Sequence, residues 1–120
     1  MQDGAVQLKS EELALRIIGL YRYLITRDKD KEYVISKQLL RSGTSIGANI
    51  AEAEYAISKA DFKTKMYIAL KECNESLYWL RLLHRSEYLS EEEFLSIYAD
   101  CEEVLRLLVS ITKTVKEGNS

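Results

Sequence analysis

The chain has 120 residues, of which 47% are hydrophobic and 30% charged, and its formal net charge is −2. This length and composition fit one folded domain and exclude a disordered chain. The acidic balance excludes a molecule that binds phosphate backbones through its overall charge. With no proline and only five glycines, long helices can run uninterrupted.

Apolar residues recur at helical spacing in four successive segments. The first is predicted to run from about residue 10 to 27 and the second from about residue 32 to 56, with the charged link DKDK between them. The first segment carries two neighbouring apolar stripes, Leu13, Ile17, Leu20 and Leu24 beside Ala14, Ile18, Tyr21 and Ile25. The second carries one stripe, made by Ile35, Leu39, Ile46, Ile50 and Ala53.

Two capping pairs predict where the later helices begin. Ser58 with Asp61 starts a third helix that runs to about residue 85, and Ser90 with Glu93 starts a fourth from about residue 91 to 116. In each pair the serine oxygen can accept from a free amide of the first turn, and the acid favours the positive helix end. The core stripes predicted for these helices include Met66, Cys73, Leu77 and Leu80, then Phe94, Cys101, Leu108 and Ile111.

Short connections between long helices make sequential helices antiparallel neighbours. The sequence therefore predicts one all-α domain over residues 1–120, an antiparallel up-down-up-down four-helix bundle. The N-terminus has no secretory signal pattern and no segment has the length of a membrane span, so we expect a cytoplasmic protein without membrane attachment. Cys73 and Cys101 fall on apolar helical positions, which favours two buried reduced thiols.

The third helix has more large apolar residues than one core stripe needs. Tyr67, Tyr78, Trp79 and Leu82 lie outside the predicted core positions. Exposed apolar and aromatic side chains mark interfaces. These four residues are a candidate interface, and the alternative is a wide helix face buried within a single copy of the chain.

Charge is segregated along the chain. Residues 16–41 contain seven Lys or Arg and three acids, whereas residues 87–103 contain seven acids and no base. Such a molecule can stack basic side to acidic side in a ring, because head-to-tail contacts close when the rotation permits. It can also present a basic patch to a phosphate backbone, or its charges can simply be solvated. The candidate basic patch is Arg22, Arg27, Lys29 and Lys31.

The segment SGTSIGANIAEAE, residues 42–54, places Ser42, Ser45, Asn49 and Glu52 on one narrow stripe of the second helix. One interpretation is a semi-buried hydrogen-bond network that fixes helix register, with partners among Lys71, Glu72 and Glu75 of the third helix. The other interpretation makes Asn49 and Glu52 ligands or catalytic groups. The first is favoured because nothing else in the sequence completes a site.

Known catalytic and metal patterns are missing from the sequence. A di-iron bundle needs two Glu-x-x-His motifs, and the chain has one histidine, His84, with Arg81 three residues before it. No P-loop, dinucleotide fingerprint or zinc-like cysteine spacing occurs. We therefore expect no enzymatic activity, no cofactor and no metal.

Three segments carry a family resemblance: QLLRSGTSIGANIAEAE at 38–54, SKADF at 58–62 and YIALKECNESLYWLRLL at 67–83. They resemble the four-helix bundle protein family, some members of which are encoded in intervening sequences of bacterial 23S ribosomal RNA genes. Ala53 departs from the glycine that many members have after the Asn-Ile-Ala-Glu run. The sharpest matches are Ser45, Ile46, Asn49, Ile50, Ala51, Glu52, Ala69, Glu75, Trp79 and Leu80.

The resemblance implies a homopentameric ring and no established activity, and it carries over no catalytic residue. The accessory proteins of diversity-generating retroelements are similar in fold, but they are basic pentamers that work with nucleic acid, and this chain is acidic. The leading hypothesis is a non-enzymatic homo-oligomeric scaffold or adaptor that engages a protein partner or an RNA-containing complex. The alternatives are an RNA-binding accessory protein and, last, a small-molecule or enzymatic site around Asn49 and Glu52.

Overall fold

A computed structural model gives the structure of the chain and describes residues 4–118, with side chains through residue 116. The four helices are α1 (Ala5–Thr26), α2 (Ile35–Ala53), α3 (Lys59–Arg85) and α4 (Glu91–Gly118). They form an elongated body of 52 × 21 × 21 Å. The predicted all-α up-down-up-down bundle is confirmed.

The helices stand at the corners of a square in chain order. Backbones approach between α1 and α2, α2 and α3, α3 and α4, and α4 and α1, whereas within residues 4–118 the diagonal pairs do not. Because neighbours are antiparallel, α1 and α3 begin where α2 and α4 end. We call this the Gly4 end of the bundle and the opposite end the Glu32 end.

The core is a single apolar cluster to which all four helices contribute side chains. Gly43 lies against Ile17, whose side chain occupies the space that a Cβ at Gly43 would need. This contact lets α1 and α2 pack closely, and it gives that mid-helix glycine a role inside the chain. The largest fully buried side chains are Leu13, Ile17, Leu24, Leu39, Ile46, Ile50, Met66, Cys73, Leu80, Leu83, Val104 and Leu108.

Helix α1 begins at Ala5, five residues earlier than the periodicity predicted. The Leu8 amide donates to the Gly4 carbonyl at 3.0 Å, and Gly4 has the positive φ of 69° that glycine tolerates. Val6 and Ser10 are both buried. Burial of Val6 therefore extends the core, and with it the helix, toward the N-terminus.

Helix α2 begins at Ile35, so the prediction of a start at residue 32 was wrong. The buried Glu32 carboxylate instead accepts from the backbone amides of Val34, Ile35 and Ser36 at 3.1, 3.0 and 2.7 Å. Burial alone would raise the pKa of Glu32, but these amide hydrogen bonds outweigh it and hold the pKa below its ordinary value. Glu32 is thus the residue that starts the helix and lies outside it.

The same helix ends at Ala53, three residues earlier than predicted. The amides of Glu54, Tyr55 and Ala56 bond to carbonyls three residues back, which tightens the chain into a turn. The next helix then starts at the predicted residue. The Ser58 hydroxyl accepts from the Asp61 amide at 3.0 Å, which confirms that capping pair.

The fourth helix also begins where its capping pair predicted. The Ser90 hydroxyl accepts from the Glu93 amide at 3.1 Å, and the Glu93 carboxylate accepts from the Ser90 amide at 2.8 Å. This reciprocal pair satisfies two amides that the helix itself leaves unbonded. The helix continues to Gly118, two residues past its predicted end.

Candidate interaction surfaces

The predicted polar stripe of α2 makes three separate contacts. Buried Ser42 lies 2.8 Å from the Ser76 hydroxyl of α3, and the Asn49 amide nitrogen donates to the Ser45 carbonyl at 2.9 Å. Glu52 is exposed and pairs with Lys65 at 2.7 Å. The Ser42 and Glu52 contacts join α2 to α3, whereas the Asn49 hydrogen bond stays within α2.

The strongest polar link between α2 and α3 comes from a residue that the sequence reasoning missed. Arg41 pairs with Glu72 at 3.5 Å and with Glu75, and the Trp79 indole donates to the Glu75 carboxylate at 2.9 Å. The Trp79 hydrogen bond lowers the pKa of Glu75 most, burial opposes it, and Arg41 adds to the lowering. Glu72 and Glu75 were expected to bond to side chains of the polar stripe. They instead form ion pairs with Arg41, which precedes that stripe in the sequence.

The four candidate interface residues of α3 divide between two sides of the bundle. Tyr67 and Tyr78 are exposed, at 38% and 46% of their surface. Trp79 and Leu82 are half-buried, and Trp79 is held toward α2 through Glu75. The Tyr78 and Trp79 rings touch edge to face at 5.0 Å, so they meet at the boundary between the two sides.

Tyr67 lies in a groove between α3 and α4, which we call the α3–α4 groove. It is an open depression of about 570 Å³. Its lining includes the exposed base Lys71 of α3, and exposed Arg106 follows the lining residue Leu105 in α4. Sequence reasoning found Tyr67 but not the part of the groove that α4 contributes. The lining residues are Tyr67, Leu70, Lys71, Asn74, Leu105 and Val109.

A second surface lies on α1 and is named here the α1 stripe. Leu8, Glu12, Leu15, Gly19 and Tyr23 follow the spacing of one helix face, and all five are exposed. The three large apolar side chains are 59%, 62% and 47% exposed. The second apolar stripe that the periodicity gave to this helix, Ala14 with Ile18, Tyr21 and Ile25, is half-buried.

The candidate basic patch lies at the Glu32 end. Arg22, Lys29 and Lys31 are exposed, whereas Arg27 is half-buried. The Arg27 guanidinium donates to the carbonyls of Asp30 and Tyr88 at 2.9 and 3.2 Å, so it holds two loops together. Three of the four predicted bases therefore present their charge to solvent, and the fourth is part of the scaffold.

His84 and the two cysteines lie in structural surroundings. His84 stacks on Phe94 at 4.1 Å and contacts Glu91 at 2.8 Å. The buried Cys73 and Cys101 are free thiols whose sulfur atoms lie 3.9 Å apart. The hydrogen bond with Cys73, reinforced by burial, raises the pKa of the Cys101 thiol.

Among residues 4–118, no group of three or more His, Cys, Asp or Glu side chains is placed to hold a metal ion. No helix in that range combines the length and apolarity that a membrane span requires. The surfaces with uncovered apolar side chains or exposed bases include the α1 stripe, the α3–α4 groove and the basic Glu32 end.

Comparisons with known proteins agree with the fold. The family model described as 23S rRNA-intervening sequence protein matches residues 2–119. A crystal structure from Bacteroides thetaiotaomicron VPI-5482, of a protein with unknown function from the S23 ribosomal protein family, is 56% identical and superposes with a TM-score of 0.89. The match covers 95% of this chain and 100% of that one. No curated protein matches the chain.

Proposed function

We propose that this chain, which belongs to the 23S rRNA-intervening sequence protein family, is a non-enzymatic homo-oligomeric scaffold. The molecular function of the family is unknown. One observation carries the proposal: a bundle with a closed core leaves organised apolar surfaces uncovered, on the α1 stripe and in the α3–α4 groove. Exposed apolar patches of this kind favour association.

The chemistry of the described side chains supports a role without catalysis. Glu32 caps a helix, Glu75 is shared between Arg41 and Trp79, and the buried Cys101 thiol lies against Cys73. Each of these perturbed groups is explained by a bond that holds the bundle together. A perturbed carboxylate or thiol facing an open cleft would instead suggest catalysis.

A closed ring of five copies in the cytoplasm is the form that the family resemblance implies, and we adopt it as part of the proposal. In such a ring the outer surface would engage a protein partner or an RNA-containing complex. The segregated charge supports this arrangement, because basic and acidic sides of successive copies attract each other.

Native mass spectrometry of the purified protein, with light scattering over a concentration series, tests the scaffold proposal. We expect one discrete assembly of the full chain that persists to micromolar concentration, with five copies as its number. A protein that stays monomeric throughout the series would refute the scaffold. A discrete assembly of another size would refute the ring of five alone.

A second candidate function is RNA binding at the Glu32 end. Exposed Lys29 and Lys31 lie beside Tyr33, which is 64% exposed, and bases next to an exposed aromatic ring suit single-stranded nucleic acid. Binding of this kind should weaken steeply as salt rises, because counterions are released.

Binding of a fluorescent single-stranded RNA at low salt checks this function. We expect a double variant, Lys29→Ala with Lys31→Ala, to lose most of the affinity. Lys113→Ala with Lys116→Ala, at the Gly4 end, removes the same charge as a control. Equal loss from both pairs, or no retention by the wild-type chain, would exclude a site at the Glu32 end.

A further inference from the structure

We infer that the α1 stripe of one copy packs into the α3–α4 groove of a second copy, so that each chain offers one surface of each kind. The inference rests on the proposed self-assembly and specifies which surfaces meet. Leu8 and Leu15 supply the apolar ridge, and Tyr67, Leu105 and Val109 supply the depression that receives it.

Gly19 gives the first reason. Glycine inside a helix costs about 1 kcal/mol relative to alanine, so its presence needs an explanation. Gly43 and Gly47 contact Ile17 and Ser10 of α1 and so permit close packing inside the chain. A Cβ built at Gly19 meets nothing within 4 Å. The missing side chain at Gly19 therefore makes room for a group from outside the chain.

Charge gives the second reason. In the half of α1 nearest the Gly4 end, the α1 stripe includes Glu12 and is flanked by Glu11, both exposed. Exposed Arg16 is paired with Asp100 of its own chain, and Arg22 lies in the other half of α1. The α3–α4 groove is lined by Lys71, and exposed Arg106 follows the lining residue Leu105 in α4. Acids on one surface and bases on the other attract unlike surfaces and repel like ones, which favours a contact between two different faces over a symmetric one.

Position along the bundle gives the third reason. Leu8 and Leu15 lie in the half of α1 nearest the Gly4 end, and Tyr67 and Val109 lie in the same half of the bundle. At a rise of about 1.5 Å per residue, Leu15, Tyr67 and Val109 all lie roughly 12 to 15 Å from that end. Two copies standing side by side and parallel bring the surfaces level.

The sides of the bundle that carry the two surfaces are large enough for an interface. A bundle of 52 × 21 × 21 Å presents sides as large as a standard interface needs, on the order of 800 Å² from each partner. Since the α1 stripe and the α3–α4 groove lie on different sides of the square, one copy can use both at once. Such a contact repeats from copy to copy until it closes into a ring.

Two single-surface variants test this packing. Leu15→Lys places a base in the stripe, where it would face the bases of the groove, and Val109→Glu places an acid in the groove. Both residues are exposed, at 62% and 47%, so the bundle should fold in each variant. Ala48→Lys on α2 and Ser110→Glu on α4 change exposed residues outside the two surfaces and serve as matched controls.

We expect each single-surface variant to be monomeric by native mass spectrometry, while both controls assemble like the wild type. A mixture of Leu15→Lys with Val109→Glu should assemble into at least a 1:1 dimer, because one partner keeps its groove and the other its stripe. Growth beyond the dimer can occur only through the two changed surfaces, where the introduced lysine and glutamate carry opposite charges.

Several results would overturn the inference. Assembly of either single-surface variant alone would mean that the contact is symmetric or lies elsewhere, and a mixture that stays monomeric would mean that stripe and groove do not meet. In these cases an assembled wild type leaves the scaffold proposal intact. A monomeric wild type would instead refute the scaffold and the packing together.

Discussion

The α2–α3 side of the bundle differs from the α1 stripe and the α3–α4 groove in how its surface side chains are satisfied. On the α2–α3 side, Arg41 is paired with Glu75, Ser42 with Ser76, and Glu52 with Lys65. On the other two surfaces, large apolar side chains face solvent without cover from their own chain.

The contrast shows which surfaces are satisfied within one chain and which gain from contact with a second copy. Polar groups at a helix boundary must find partners, and on the α2–α3 side they find them within the chain. Uncovered apolar side chains gain most from a second surface that removes them from water. We therefore expect substitutions on the α2–α3 side to change the free energy of unfolding, and substitutions on the other two surfaces to change assembly.

The largest expected effect comes from Trp79. Trp79→Ala removes a half-buried ring and the donor that holds Glu75, and we expect a loss of about 2–3 kcal/mol in the free energy of unfolding. Its neighbour Tyr78 is 46% exposed, so Tyr78→Ala should cost less than about 1 kcal/mol. Urea unfolding in a Leu15→Lys background, where assembly cannot contribute, gives both values. Equal losses of unfolding free energy in the two variants would contradict the distinction between the α2–α3 side and the exposed side of α3.

Glu32 is expected to have the next largest effect. Glu32→Gln keeps the shape of the side chain but removes the charge that three backbone amides share. Loss of a helix cap costs about 1–2 kcal/mol. Thermal unfolding checks this value, and Glu87→Gln, at an exposed loop position, is the matched control. A variant as stable as the control would mean that Glu32 does not set the start of α2.

Acid should weaken the bundle through the same two carboxylates that hold the helices together. The pKa values of Glu32 and Glu75 are lowered by folding from 4.5, so the unfolded chain binds these protons more readily. Their stabilisation is therefore complete above the unfolded pKa and is lost as pH falls through the folded values.

Urea unfolding between neutral and acidic pH measures this dependence. We expect the free energy of unfolding to fall with pH below 4.5 in the wild type. The slope should be shallower in Glu32→Gln and shallowest when Glu75→Gln is added. Parallel curves for all three proteins would contradict the assignment of the acid sensitivity to these carboxylates.

Gly19 should give the smallest change in stability and a change of opposite sign in assembly. Gly19→Ala adds a methyl group that meets nothing in its own chain, so it should stabilise the bundle by about 0.5–1 kcal/mol. The same methyl group would occupy space that a neighbouring copy needs, so the assembly should dissociate at a higher protein concentration. Light scattering and urea unfolding of one preparation give both numbers. Tighter assembly would contradict the role inferred for Gly19.

Much of the fold follows from the sequence because helical periodicity and capping are local properties. The pattern from residue 58 to 85 gave both ends of α3, since Ser58 and Asp61 mark its start directly. The start of α2 was misplaced because Glu32 looks like a good first-turn residue. Only the folded chain shows its carboxylate bonded to the amides ahead of it.

The surfaces were harder to predict because the sequence does not show which apolar side chains of a helix its neighbours will cover. The periodicity gave α1 two apolar stripes that included Ala14 and Ile18, which are half-buried, but it did not single out Leu8 and Leu15, which are exposed. The groove depends on Val109 lying opposite Tyr67, a pairing fixed by the packing of α3 on α4. Three-dimensional arrangement, and no local pattern, decides which apolar residues stay uncovered.

Hydroxyl-radical footprinting of the assembled protein against its Leu15→Lys variant tests most directly whether these surfaces are covered in solution. We expect Leu8, Tyr23, Tyr67 and Val109 to be protected in the wild type and reactive in the variant. Tyr55 and Ile57, exposed at 85% and 94% in the α2–α3 turn, should react equally in both proteins. Equal reactivity of all six residues in an assembled wild type would contradict this account.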